Sequence, residues 1–572
     1  MASAKRSEYF CYPETLVFWG AGATVSLGMP PTAKIGEIVK NLTSEKLYAD
    51  MNKYLQFTCF KPIAAEFALF LEIVGVPLDE SYLVPDKAND AMKKMFPNSD
   101  DITRRKVVNC WRQVYDWEAL KAIANAVNVE NVGASFLTQL YNVLDGSIVQ
   151  QSGISVEIDG WQVLLHGDRV RRARMLLDYF TVASLSSAYL NTLDESPSRI
   201  TPYIEFVEML AKMMEDEGVR LSDFFAASGS QIAEEKFYSS RAFYLFSYAI
   251  VSMNYEPLFL WLLWNAHKNK NANASCVGSR NRMLKLLNDH SLFFGIRKIE
   301  DEPKESDDSI WYPCNEPVAQ RINRHNYDRY VNRVGKFFYP HGNVNFRECP
   351  NCGKLNISFG DAWGYCSKTL FIHNPFPDKF SLNYSPKNSE KEMFNQGLQD
   401  VQQCVFCGNL LHTENVSVVP QSAFKGRHAP FIEEIQRDMK MNVEKAKHIV
   451  LLGYSLPPDD VIWRSVMAAK KEGSKYCSVV CGFMGYHKWL YGDELDAYCK
   501  LYEKMNNKDD FGYSAIKNAI DVFGKNNVRA YTGGIPQVWE NGIDAVRELL
   551  YPKWCFEKDI VEERVEKFGS SR

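Results

Sequence analysis

The feature that most constrains this chain is a buried strand that closes in glycine and leads into a helix, present near the start and again far downstream. Thr15–Trp19 is apolar, β-branched or aromatic throughout, which reads as a short buried strand. Gly20-Ala21-Gly22-Ala23-Thr24 follows, with Ser26, Gly28, Met29 and Pro30 beyond it and a helical pattern from about Thr32 to Leu42. Downstream, a helix at Ile432–Ala446 precedes the apolar strand His448–Leu452. A helix at Asp459–Lys471 and a strand at Tyr476–Phe483 come next. Strands alternating with helices predict parallel βαβ units, and hence an α/β core with a doubly wound sheet.

Between these ends the signal changes. From the first helix to about residue 245 it is mostly helical: Ala64–Val74, Arg169–Tyr189 and Ile204–Met214 carry apolar residues at helix spacing. A helical insertion over 36–242 is expected, either as a plain cover for the core or as a regulatory lid. Strand character returns at Phe243–Met253. Lys268–Arg282 and the acidic run Glu300–Asp308 read as solvated connections, and 341–425, rich in Cys, Asn, Gly and Pro, as a small irregular module.

Composition excludes several function classes. The 572 residues exceed one ordinary core, so several domains or large insertions are expected. A net charge of −4 offers no global basic field for nucleic acid, and the short clusters Arg104–Lys106 and Arg169–Arg174 read as solvated helix faces. The most hydrophobic run, Leu258–Trp264, falls far short of the ~20 apolar residues that span a bilayer. The opening MASAKRSEYFCYPE has no apolar stretch of the signal-peptide kind, so a cytoplasmic location is expected. In a reducing compartment, fourteen cysteines point to metal binding or buried thiols before disulfides.

Five constellations can carry chemistry. In the first, Gly20 and Gly22 let the backbone approach a pyrophosphate at a helix N-terminus, although Val25 stands where a dinucleotide fingerprint has its third glycine and a bare turn has the same look. The second pairs Cys349-Pro350-Asn351-Cys352 with Cys404-Val405-Phe406-Cys407, each followed by glycine. Four thiolates suit a closed, structural tetrahedral zinc site. The gap between the pairs is long for a zinc ribbon, so an excursion such as Asn383–Phe394 must loop out. Two unrelated cysteine pairs are the plain alternative, and Cys366 could replace a ligand. The third is His341-Gly342-Asn343, just ahead of those cysteines. The fourth, Ser252-Met253-Asn254-Tyr255-Glu256, ends a strand, where ligands collect in parallel sheets, though an Asn there is commonly a turn residue. The fifth is Gly453-Tyr454-Ser455-Leu456-Pro457-Pro458-Asp459-Asp460, with backbone bare for a ligand and Asp459 placed to cap a helix.

Taken in order, these pieces resemble the sirtuin family. The Gly-Ala-Gly turn with Gly28-Met29-Pro30, Met253-Asn254-Tyr255-Glu256, His341-Gly342, the cysteine pairs and Gly453-Tyr454-Ser455 are similar to motifs of that family in the same sequence. The match covers a little under half of the chain. It implies a Rossmann-like NAD domain in three parts (1–35, 243–340 and 427–572), a zinc module at 341–426 and, at 36–242, a helical insertion with no counterpart. It further implies that Gly20, Ala21, Gly22, Thr24, Glu256, Gly453 and Ser455 contact NAD. Asn254 would hold the nicotinamide ribose or an attacking water, and His341 would be the general base. Where deacylating sirtuins carry Asp-Phe-Arg, this chain has Pro31-Thr32-Ala33, and the Gly-Tyr-Ser-Leu-Pro-Pro-Asp-Asp phrase is similar to a bacterial branch that includes antiviral NAD-consuming effectors. The expectation is an NAD hydrolase, yielding nicotinamide and ADP-ribose and triggered through the helical block, an activating protein partner or homo-oligomer assembly. An NAD-dependent deacylase and a non-catalytic sensor of NAD or ADP-ribose are the alternatives.

Overall fold

The computed structural model describes residues 12–44, 51–58, 60–75, 89–90, 92–93, 100–127, 136–290, 295–296, 328–349, 351–357, 402–403, 407, 410–411, 416–418, 429–458, 460–468, 475–482, 487–504 and 511–569. The fold is α/β, built on a mixed, mostly parallel nine-stranded sheet. In chain order its strands are β1 (Thr15–Trp19), β2 (Leu245–Ser252), β3 (Cys276–Val277), β4 (Arg282–Asp289), β5 (Tyr330–Phe338), β6 (His448–Leu452), β7 (Tyr476–Val480), β8 (Trp489–Tyr491) and β9 (Val528–Tyr531). Their order across the sheet is β8-β9-β7-β6-β1-β2-β5-β4-β3. All neighbours pair parallel except β8 and β3, which close the two edges antiparallel. β1 and β6, apolar after their first residues, are buried at every position, as are β2 and β9.

The chain leaves β1 toward β2, β5 and β4 on one side, then returns to lay β6, β7 and β9 on the other. The winding direction therefore reverses between β1 and β6, and a crevice at the carboxyl ends of the strands is expected at such a reversal.

Three inner strands escape an apolar-run reading because they carry buried charge. Arg282 and Lys285 lie in β4, Arg333 and Lys336 in β5, and Arg529 in β9, all buried. Each meets a partner from a distant element: Arg282 meets Glu234 at 3.3 Å, Arg333 meets Glu217 at 2.6 Å, Lys336 meets Asp438 at 2.7 Å and Arg529 meets Glu548 at 2.5 Å. Lys285 donates to the Asn271 carbonyl at 3.1 Å.

The 36–242 block is largely helical, with long helices at Gly167–Glu195 and Thr201–Ala227, but it corrects the expectation in two places. Ile154–Ile158 and Trp161–Leu165 form an antiparallel hairpin. Its turn is Asp159-Gly160, both at positive φ, and an Asp-Gly pair between alternating apolar residues is the strongest short-range hairpin signal. The arginines of 169–174 do not form a plain solvated face either. Arg169 and Arg172 both reach Asp116, at 2.8 and 3.3 Å, and Arg174 is held by Asp145 at 2.7 Å. Inside the block, rings of Phe60, Phe67, Phe70, Trp111 and Tyr179 stack or meet edge on. The block is not a separate body, since its core is continuous with that of the sheet. Nor is Lys268–Arg282 a plain loop: its first residues finish the helix Leu258–Ala272, and Cys276–Val277 is β3.

A second sheet, ordered Val416–Val418, Gly342–Glu348, Leu355–Ile357 and Gly295–Ile296, begins directly after His341 and recruits a strand from ahead of residue 341. Among the described residues no helix is long and apolar enough to cross a membrane.

Candidate functional site

The carboxyl ends of β1 and β6 interlock. Gly20 N–H donates to Leu452 O at 2.9 Å, Gly22 N–H to Gly453 O at 2.9 Å, and Gly453 N–H to Val480 O at 3.1 Å. A Cβ on Gly20 would lie 2.6 Å from the Gly453 oxygen, and one on Gly453 2.1 Å from the Ala23 nitrogen. Gly453 also sits at φ +60°, open to glycine at little cost. These glycines are therefore needed for two turns to touch, a reason that stands with or without a ligand. Ala21 and Thr24 belong to the same pair of short 3-10 turns, Ala21–Ala23 and Val25–Leu27, where Thr24 N–H and Oγ1 both bond Ala21 O. Ser455 follows on the β6 side, its carbonyl bonded by Asn518 at 2.9 Å, while the ring of Tyr454 stacks on Phe18 at 5.9 Å.

One strand over, β2 ends at Ser252, paired in register with Trp19, and Met253 N–H donates to Trp19 O at 2.8 Å. Asn254 is thereby set beside the glycine turn: its Nδ2 donates to Gly20 O at 3.3 Å and to Glu256 Oε1 at 3.1 Å. Glu256 Oε2 accepts the N–H of Leu258, the first residue of a fifteen-residue helix, at 2.5 Å. Burial pushes the Glu256 carboxyl up to about 7 against the bonds from Asn254 and Leu258 that favour its ionised form.

The next strand, β5, pairs in parallel with β2, Val251 lying opposite Phe338. His341 stands just beyond its end, buried, with its ring 6.3 Å from that of Tyr255. Val344 N–H donates to Tyr255 O at 2.9 Å, which ties the His341 turn to the Asn254 turn. Asn254 and His341, distant in sequence, thus belong to two linked turns at the same end of adjacent strands. Two buried atoms nearby, Ser252 Oγ and Asn343 Nδ2, have no hydrogen-bond partner among the described residues. Unsatisfied buried polar atoms of this kind fit a polar ligand or ordered water at this end of the sheet.

Residues that sequence reasoning overlooked come from the helical block. Tyr203 donates to Ala23 O at 2.5 Å and meets Ser26 Oγ, and Thr192 donates to Leu27 O at 2.6 Å. A Cβ on Gly28 would strike Thr192 Oγ1 at 2.4 Å. Nothing in the local sequence of Tyr203 or Thr192 marks them, because both look like ordinary helix residues.

Cys349, Cys352 and Cys407 place their sulfurs within 4.8 Å of one another, a group that could hold a metal ion. Cys352 N–H points at Cys349 Sγ at 3.5 Å, and Gly353, at φ +65°, closes the knuckle by donating to Cys349 O at 2.8 Å. An amide aimed at sulfur suits a thiolate, so the donor set fits zinc. Cys404, the expected fourth ligand, lies outside the described residues, as do Asp459, Cys366, Asn383–Phe394 and Glu300–Asp308. A metal ion held by these sulfurs should appear at about one per chain by plasma mass spectrometry of the purified protein. Cys349→Ser should lower both the metal content and the melting temperature.

No protein-family model matches this chain, and no curated protein matches it.

Proposed function

We propose that the protein is a sirtuin-like NAD hydrolase with a Rossmann-like cofactor crevice between β1 and β6. The observation that carries this reading is the link between the Asn254 and His341 turns beside the interlocked glycines. The five motifs that resemble the sirtuin family support it, as does the winding reversal at β1 and β6.

In this reading the pyrophosphate lies over the turn from Gly20 to Thr24, with Gly453 and Ser455 on the other wall. The bond between nicotinamide and ribose C1′ breaks with its electron pair leaving on nicotinamide. A water oxygen, oriented by Asn254, bonds C1′, and His341 takes the proton that this water or a ribose hydroxyl gives up. The site contributes orientation and exclusion of stray nucleophiles. Zinc at the cysteine group would brace the fold and take no part in this chemistry. The contacts of Tyr203 and Thr192 with the glycine turn give the helical block a means to govern the crevice, which a cofactor-depleting effector of antiviral defence requires.

The test is to incubate the purified full chain with NAD alone. Release of nicotinamide and ADP-ribose is expected. Turnover only in the presence of an acylated peptide would replace this reading with a deacylase. Calorimetric binding of NAD or ADP-ribose with no turnover under any condition would replace it with a sensor.

A further inference from the structure

Glu256 has the wrong connections for a cofactor contact and the right ones for a different task. The residue is 2% exposed, and both carboxylate oxygens are engaged within the protein, Oε1 by Asn254 Nδ2 at 3.1 Å and Oε2 by the Leu258 N–H at 2.5 Å. We propose that Glu256 is a positioning residue that dictates which end of the Asn254 amide faces the crevice, and that it does not itself touch the dinucleotide. This inference rests on the reading that Asn254 serves the nicotinamide ribose.

The argument is one of donor and acceptor matching. On its inner side the Asn254 amide meets two acceptors, the Glu256 carboxylate and the Gly20 carbonyl at 3.3 Å. Only the NH2 end can satisfy both, so Oδ1 is turned outward as an acceptor for a ribose hydroxyl or an attacking water. The charge on Glu256 makes its bond the stronger anchor. A protonated Glu256 would present an O–H where it now presents a lone pair, and that O–H pairs with Oδ1, which favours the flipped amide.

Protonation lies within reach, because burial holds this carboxyl near 7. The titratable groups that act on it are Tyr203, from the helix Thr201–Ala227, and Tyr339, beyond β5, while the imidazole of His341 lies against the neighbouring Tyr255. Burial drives the Tyr203 phenol up to about 12 and that of Tyr339 well above its ordinary value, so neither changes charge near neutrality. The proposed base His341 serves the same reaction, so a variant must isolate the share of Glu256 in any pH profile. Asn254 is held with an ionised Glu256, so activity is expected to fall as pH drops through about 7.

The experiment compares the parent chain with Glu256→Gln and Glu256→Asp. A Gln side chain offers one acceptor where two donors converge; the Leu258 N–H, fixed at the start of its helix, keeps that acceptor, so the Asn254 bond is the one lost. NAD turnover by Glu256→Gln is expected to show kcat down about 10- to 100-fold with KM within about twofold, the pattern of a misplaced group. The part of the acid limb owed to Glu256 should disappear in this variant, and Glu256→Asp should restore part of kcat together with that limb. A KM at least about tenfold higher with kcat unchanged would mean a direct cofactor contact and overturn the proposal. Unchanged kcat and pH profile would overturn it too. A crystal structure of Glu256→Gln provides a readout that needs no turnover. Asn254 Nδ2 is expected to leave residue 256 or Gly20 O, and an Asn254 in its present bonds would overturn the positioning role. If the parent chain fails to cleave NAD, the functional reading falls, while the crystal result still decides whether Glu256 orients Asn254.

Discussion

Replacing His341 with alanine should slow NAD cleavage about 100- to 10,000-fold, the usual contribution of a positioned acid–base group. The chain should keep its fold, because His341 closes a turn whose main-chain bonds are made by other atoms. Gly342 N–H donates to Tyr339 O at 3.0 Å and Val344 N–H to Tyr255 O at 2.9 Å, and neither needs the imidazole. The variant should therefore bind NAD with an affinity close to that of the parent, and single-turnover measurements should place the whole loss in the chemical step. Retention of more than about one tenth of the parent rate would remove His341 from the role of base.

Replacing Glu217 with alanine should destabilise the protein by about 3–5 kcal/mol, the cost of stranding buried charge, which is large against the stability of any domain. Glu217 holds two guanidinium groups at once, Arg333 at 2.6 Å and Arg564 at 2.5 Å, and it accepts from Ser247 Oγ at 3.0 Å. Both arginines are buried, Arg333 fully. Burial already drives Arg333 down to about 10 with Glu217 beside it. Removal of the carboxylate takes away the counter-charge that these two buried cations share. The three residues belong to the helix Thr201–Ala227, to β5 and to the C-terminal helix Ile560–Gly569, so the loss should appear as one cooperative weakening. Urea denaturation should show a lower midpoint with an unchanged slope. A triple variant, Glu217→Leu with Arg333→Met and Arg564→Leu, should recover much of the loss, because an apolar set of similar volume needs no counter-charge. A Glu217→Ala midpoint equal to that of the parent would mean that water already reaches the cluster.

The sequence reading succeeded where burial is symmetric and failed where it depends on distant charge. Thr15–Trp19 and His448–Leu452 are apolar after their first residues, and both are strands over those residues. Arg282–Asp289 and Tyr330–Phe338 were not visible, since Lys285, Arg333 and Lys336 interrupt any apolar run. Their counter-charges come from elements that local pattern cannot reach, such as Glu217 on a helix 116 positions earlier. The hairpin around Asp159-Gly160 was a different miss, because its signal is entirely local. At the candidate site, Asn254, His341 and the glycines stand at strand ends in an order that could be read from the chain. What could not be read is how each is held: Glu256 engaged from below, and Tyr203 and Thr192 laid on the glycine turn from a block with no recognisable motif.

The place of β1 in the sheet has a consequence for synthesis. Its neighbours are β2 and β6, and Thr15 Oγ1 donates to Leu550 O, 535 positions away, at 2.7 Å. β1 cannot acquire its second neighbour until His448–Leu452, more than 400 positions further along the chain, has been made. Contacts of such long range form slowly, after the local ones. A nascent or truncated chain that stops short of β6 accordingly lacks the Gly453 turn that interlocks with Gly20 and Gly22.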